Sequence, residues 1–589
     1  MLPPARKALS LVEQYLRRAR NDRQVDADRR RLVKYGTAGL VSASLGGVSL
    51  WGLQSGSSND HHGFDVGQLS DRLGPCFNNS PQGPPFTQPL PIPPALPPTR
   101  VEGTDDIFDI WESRGETEIV PGFRTAIWGY NLAGLPAITP GPTILARKGR
   151  RVIINFENRL PPNEDPTGVI ITTEIDPRKH PFHDSSTSVH LHGINADHIA
   201  DGYPDDEDGH KHRKSPGEFF THFYPNNEYQ RPCTMWYHDH SVHVTSLHIY
   251  RGLAAFYLLT DEVEDALRLP GSPLADGPRT YGFFDIPLAV KDVMITPDEM
   301  DDRPPGTLVY NNCSHMGAFG DVMTVNGKQQ PRLDVANRKY RFRLLDASDS
   351  RQYWFALRRA DRLDGPDEPF TLIGTDQGLL AAPLPVTDFH AAPSERYEFV
   401  VDFARYPIGT RLVLVNKLID PDEKRLFQIM AFDVTRVEPD PSQVPPVLRP
   451  AEHPADVQPP ARERFWLFDR SGGYWAINGK IWDANRVDAR PVVNTTEDWT
   501  LQVDSGGWGH PVHLHLGRFR VIKVEGRPPR PGELEGFKDT VWVGPNQKVV
   551  VRHQFWNFTG RYVMHCHNGS HEDHDMMTQW EVQPPLPAV

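Results

Sequence analysis

Pairs of histidines separated by a single residue constrain this chain more than any other feature in it. The 589 residues include 25 histidines, and squaring that frequency predicts a His-x-His about once by chance. The pattern occurs five times: His190/His192, His238/His240, His513/His515, His565/His567 and His210/His212. The first four sit in apolar or aromatic surroundings. The fifth lies in the charged run PDDEDGHKHRK and reads as a solvated chance pair with no ligand role. Residues two apart on a β-strand point to the same face. Each of the four pairs therefore needs an extended strand and aims two imidazoles at one point. Together they offer eight nitrogen donors, more than any mononuclear site uses, of a kind that suits copper, iron, nickel and zinc.

The rest of the chain agrees with strands. Alternating or β-branched runs recur between turns at Arg151–Phe156, Tyr340–Leu345, Tyr397–Phe403, Arg411–Val415, Val541–Val543 and Val549–Val551. That spacing predicts all-β sandwiches or barrels. A Pro-rich stretch, PQGPPFTQPLPIPPALPP, falls within 55–100 and reads as a linker, or as an arm laid over a domain in extended form. A second linker is expected over 441–460, leaving three β domains at 101–262, 263–440 and 461–589. The histidine pairs fall only in the first and third.

Cys566 lies between His565 and His567. On a strand it points away from them, to a different metal on the far side. His510 has opposite parity to His513 and His515, and His571 and Met576 follow downstream. Two histidines, one cysteine and a weak axial methionine make a blue-copper electron-transfer site. A thiolate centre and a polyhistidine cluster would thus be joined covalently through one cysteine.

At these residues the chain resembles the multicopper oxidases. The matching segments are VHLHG at Val189, WYHDH at Trp236, HPVHLH at His510 and HCHNGSHEDHDMM at His565, in order across about 400 residues. PGPTILARKG at Pro140, DGYP at Asp201, GDVMTVNGK at Gly320 and FKDTVWVG at Phe537 fit as well. The resemblance is strongest to the group of bilirubin oxidase, spore-coat laccase and phenoxazinone synthase, with Trp508 two residues before His510 adding to it. It implies three cupredoxin-like Greek-key domains and four copper ions. Carried over motif by motif, type 1 copper takes His510, Cys566, His571 and Met576. Type 2 copper takes His190 and His513. The type 3 pair takes His192, His238, His240, His515, His565 and His567. Two departures stand out: Ser241-Val242-His243 after WYHDH, and Asn568-Gly569-Ser570 before His571. Both bear on substrate access and potential rather than on copper binding.

Reducing dioxygen to water consumes protons, so carboxylates are needed near the cluster. Asp201 matches the family's acid after the first His-x-His, and Glu572 matches a second. The expected activity is oxidation of a phenolic, aminophenolic or bilirubin-type substrate, with dioxygen as acceptor. A metallo-oxidase of Cu(I), Fe(II) or Mn(II) is the alternative, although the ten methionines form no cluster of the cuprous-oxidase kind. A reading of another class is an exported structural protein that has lost its coppers, against which the intact ligand set argues.

A net charge of −13 argues against a nucleic-acid partner, and none is expected. With Cys566 assigned as a ligand, Cys76, Cys233 and Cys313 allow one internal disulfide, its pair left open. Over 1–54, Asp28-Arg29-Arg30-Arg31 leads into an apolar run from Tyr35 to Leu53 that resembles a twin-arginine export signal. No clear cleavage site follows, so an uncleaved membrane tether is the alternative. An amphipathic helix with a short membrane helix is the plainer reading. The expected location is the periplasm, the cell surface or the medium.

Overall fold

The computed structural model describes residues 79–161, 169–171, 184–206, 211–273, 279–300, 302–312, 315–449 and 459–585. The chain divides into two units, Met1–Gly63 and Phe64–Val589, and every described residue belongs to the second. The expected signal over 1–54 lies outside the described residues, as do Cys76, His210 and Cys313.

Strand Arg151–Asn158 shows why this sequence makes sheets. Val152, Ile154, Phe156 and Asn158 are buried while the residues between them are not, the two-residue period of a half-buried strand. All six runs singled out in the sequence lie within or largely overlap strands, including Lys339–Asp346, Arg396–Asp402 and Lys548–Phe555. Two sheets come from chain between Ala95 and Thr260, two from Asp285 to Arg436, and two from Arg462 to Val582. Each pair packs as a sandwich. In the first, Ile110 and Ile154 of one sheet meet Tyr237 and Tyr257 of the other; in the second, Phe342 and Phe399 meet Leu414 and Phe432. Burying side chains of this size contributes about 1.5–3 kcal/mol each.

The Pro-rich stretch is an arm, where it is described. Ser80 N–H donates to Asp321, and the N–H groups of Phe86 and Leu90 donate to Gln330 O and Arg332 O on the second sheet pair. Ala95–Leu96 then adds to the first pair, parallel to Thr143–Ile144. Residues 441–449 are likewise docked, with Leu448 and Arg449 N–H donating to Ala381 O and Leu380 O.

The elements around the histidines are labelled here in chain order: β1 (Val189–His192), β2 (Thr234–Asp239), α1 (Thr245–Arg251), β3 (His510–Leu514), β4 (Thr540–Val543), β5 (Gly560–Cys566), α2 (Gly569–Glu572) and β6 (Met577–Val582). β1 is an edge strand of its sheet, and the third sandwich meets it there: Gly517 N–H donates to Ile194 O, and Tyr562 Oη donates to Ala196 O at 2.9 Å.

Candidate metal centres

Strand register brings the histidines together. β1 and β2 are antiparallel with His190 opposite His238 and His192 opposite Trp236. β3 and β5 are antiparallel with His513 opposite His565 and Val512 opposite Cys566. His240, His515 and His567 each follow the end of their strand. Across the interface His192 stacks on His513 at 3.6 Å between ring centroids, and His190 on His515 at 4.0 Å. All eight imidazoles named as cluster ligands are buried.

Their hydrogen bonds show what the cluster is built to hold. Nδ1–H of His190, His238 and His513 donates to the carbonyls of Asp201, Asp239 and Asp539 at 2.5, 2.7 and 2.8 Å. His515 Nδ1–H donates to Asp201 Oδ2 at 2.6 Å, and His565 Nδ1 lies 3.0 Å from Glu572 Oε2. The opposite nitrogens, Nε2 of His190, His238, His513 and His567, have no hydrogen-bond partner although buried. Nε2 of His240, His515 and His565 point at one another, 3.2, 3.2 and 3.4 Å apart. Three lone pairs converging in a dry site are stable only around a cation. An outer N–H held by carbonyl or carboxylate is how metal-bound imidazoles are oriented. The donor set therefore fits metal at more than one point.

His192 is turned the other way. Its Nε2–H donates to Asp539 Oδ1 at 3.0 Å, leaving buried Nδ1 without a partner and directed inward. Asp539 is held in turn by Arg396 Nη1 at 2.6 Å and Gln377 Nε2 at 2.7 Å. Asp539 lies within FKDTVWVG, where the sequence alone assigns it no role. Its partners are remote in the chain, and no local spacing marks it.

Protonation follows burial. Burial, then neighbouring imidazoles, holds His190, His192, His513, His515 and His567 well below the usual histidine range and His238 at about 3. These rings are neutral, the form that ligates. Burial, then Asp197, pushes the Asp201 carboxyl well up. Burial also pushes Glu572 up, but His565 and His240 outweigh it and leave that carboxyl below its ordinary value. Asp201 reaches the cluster because Gly202, at φ +84°, lies against β1: a Cβ there would come within 2.2 Å of Val189 O.

Cys566 occupies the far face of β5. Its Sγ lies 3.3 Å from His510 Nδ1 and 3.6 Å from His571 Nδ1, which are 3.1 Å from each other. His510 Nε2 meets Ser505 Oγ at 2.8 Å, and His571 Nε2–H donates to Met316 O at 3.2 Å. Trp475 packs against the His571 ring at 3.9 Å between centroids, tilted by 34°, and Trp508 lies edge-on at 6.0 Å. Met576 is fully buried in the apolar cluster that contains Cys566. Met577 sits opposite His565 and packs elsewhere, with Tyr203, Val242 and Trp482.

The structure differs from the sequence expectation at His212 and at Cys233. His212 is not solvated: it is 5% exposed and its ring lies 5.3 Å from that of Tyr203. It belongs to none of the donor groups found among the described residues. Cys233 is a free, buried thiol, which removes it from the candidate disulfide; the other two candidates lie outside the described residues.

The model of the multicopper oxidase family matches residues 454–585. The chain is 35% identical to bilirubin oxidase of Albifimbria verrucaria, over 88% of this chain and 86% of that protein. It is 31% identical to a laccase of Bacillus subtilis (strain 168), over 85% and 99%. Among solved structures, McoA multicopper oxidase of Aquifex aeolicus superposes with a TM-score of 0.69 at 27% identity, covering 84% of this chain and 99% of that one.

Proposed function

This chain belongs to the multicopper oxidases, and from that membership we propose that it couples one-electron oxidation of a phenolic, aminophenolic or bilirubin-type reductant to four-electron reduction of dioxygen to water. Family membership makes it a copper-dependent oxidoreductase. The ligand sets and the count of four ions are part of the proposal. Type 1 copper is assigned to His510, Cys566, His571 and Met576, type 2 to His190 and His513, and the type 3 pair to His192, His238, His567 and to His240, His515, His565. The observation that carries the reading is the two-faced strand β5. Cys566 turns to one donor group while His565 and His567, bonded to it on either side, turn to the other.

Bound copper would supply the redox chemistry, one electron at a time at the thiolate and four at the cluster. The chain supplies the rest. Trp475 and the Met316 carbonyl fix the His571 ring, the edge nearest the partly exposed Met316. From Cys566 the covalent backbone leads directly to His565 and His567. Arg396 and Gln377 fix Asp539, which fixes His192. Asp201 and Glu572 hold carboxyls against His515 and His565, where protons for water formation are needed.

The names of the relatives, bilirubin oxidase and laccase, support the substrate class. The twin-arginine-like start supports export, and among the described residues no helix is long and apolar enough to cross a membrane. The test is metal analysis of copper-loaded protein followed by a steady-state screen with phenols, bilirubin, Cu(I), Fe(II) and Mn(II), reading oxygen uptake. Activity on metal ions alone would replace the organic-substrate assignment. Cys566→Ser should abolish the blue colour and the oxidase activity in a folded protein, and a retained blue band would remove the type 1 assignment.

A further inference from the structure

Between Cys566 and His571 this chain places Asn568, Gly569 and Ser570, and the proposed chemistry leaves those residues without a role. Their surroundings supply one. The turn they form is gripped by the loop joining Lys339–Asp346 to Tyr353–Arg359 in the second sheet pair. Gly569 N–H donates to Asp349 O at 3.0 Å, and Ser570 Oγ donates to Asp349 Oδ1 at 3.0 Å. Ser350 Oγ lies between two acceptors, Asp349 Oδ1 at 2.5 Å and Asn568 Oδ1 at 2.9 Å, and bridges them. From the first sheet pair, Ser246 Oγ at the start of α1 donates to Asp349 Oδ2. All six residues involved are buried. The grip needs glycine at 569, because a Cβ there would lie 2.7 Å from Asp349 Oδ2 and 2.8 Å from Ser246 Cβ.

The other side of the turn faces the thiolate centre. Asn568 caps α2, its Oδ1 accepting from His571 N–H at 3.3 Å. Its own N–H points at Cys566 Sγ, 3.4 Å away. One residue thus joins the clamp on the second sheet pair to both the cysteine and a histidine of the donor group.

We propose that Asp349 and Ser350 are positioning residues for the thiolate centre: they hold, from a neighbouring sandwich, the turn that keeps Asn568 N–H on Cys566 Sγ and His571 at its angle, and so set the reduction potential there. The proposal rests on the reading of His510, Cys566 and His571 as copper ligands. Hydrogen bonding around the cysteine sulfur tunes such potentials. An N–H dipole on sulfur draws electron density from the thiolate, and Cu(II) depends on that density more than Cu(I). Holding the N–H in place raises the potential, and loosening the turn lowers it. A purely electrostatic role for Asp349 would have the opposite sign, since removing an anion near copper disfavours Cu(II) and raises the potential.

The experiment compares Asp349→Ala, Asp349→Asn and Ser350→Ala in the copper-loaded full chain. The readouts are redox titration of the blue band, the position of that band, and copper content. Asp349→Ala should lower the potential and shift the band with copper retained. Asp349→Asn keeps an acceptor for Ser570 and should stay with the parent. Ser350→Ala should move in the direction of Asp349→Ala by a smaller shift. A rise in potential in both Asp349 variants, or no shift in any of the three, overturns the proposal. Should Asp349→Ala not fold, Ser350→Ala, which deletes one oxygen, decides on the same readouts. A copper-loaded parent with no blue band would overturn the ligand reading itself, and this proposal with it.

Discussion

His515 Nδ1–H donates to Asp201 Oδ2 across 2.6 Å, so a carboxyl from the first sandwich rests against an imidazole of the third. The Asp201 main-chain carbonyl also holds His190, and that contact survives any change of side chain. Asp201→Asn should therefore leave copper bound while removing the group able to hand over a proton. Reoxidation of the fully reduced enzyme by dioxygen should slow by about 10²-fold or more, with reduction by substrate little changed. Stopped-flow measurement of both half-reactions decides; an unchanged reoxidation rate removes Asp201 from proton delivery.

Glu112 is 1% exposed, with Thr187 Oγ1 donating to its Oε2 and its Oε1 without a partner. Burial raises its pKa from 4.5 to about 8. The folded state therefore keeps this proton over a range where the unfolded chain has lost it. The stability Glu112 contributes is complete below about pH 4.5 and is lost as pH rises through about 8. By pH 7 the loss is roughly 3 kcal/mol from the linkage relation. Glu112→Gln keeps the acceptor for Thr187 and does not ionise. Its apparent Tm should gain on the parent's as pH rises from 5 to 8, and a difference that stays constant over that range would refute the assignment.

Which parts of this molecule could be read from the chain depends on how local their causes are. The His-x-His pairs were legible because a strand's two-residue period fixes which way residues point without reference to anything distant. The opposite parity of Cys566 was legible for the same reason, and the structure puts its Sγ with His510 and His571 on the far face. The grip of Asp539 on His192 was not, because the partners are 347 residues apart and meet only where two sandwiches pack. The Asp349 clamp is hidden in the same way, 221 residues from Ser570. The burial of His212 is hidden for a related reason: charged neighbours report on their own exposure and give no sign that Tyr203 lies beside its ring.

Because His212 is buried, replacing the fifth histidine pair should affect stability and copper content differently. His210→Ala with His212→Ala should leave copper content unchanged, because His212 belongs to no donor group among the described residues. The loss of buried contact with Tyr203 should nonetheless cost on the order of 1–3 kcal/mol of stability. Metal analysis and thermal unfolding separate the two effects. A fall in bound copper at unchanged fold would show that the pair ligates after all.

Met576 and Met577 compete for the axial position beside the thiolate, and adjacent residues on this chain face opposite ways. β6 pairs with β5 so that Met577 lies opposite His565, on the cluster side, while Met576 is buried in the apolar core with Cys566. Main-chain bonds fix Met576 further: Cys566 N–H donates to Met576 O, and Met576 N–H donates to His571 O, both at 3.1 Å. A thioether is a weak axial donor that stabilises Cu(II) over Cu(I). Met576→Leu keeps the volume and removes the donor, so the type 1 potential should rise while His510, Cys566 and His571 retain the metal. Met577→Leu replaces a methionine packed against Tyr203, Val242 and Trp482 and should leave the potential nearly unchanged. Redox titration of the two variants side by side decides, and a shift in Met577→Leu without one in Met576→Leu would move the axial ligand by one residue.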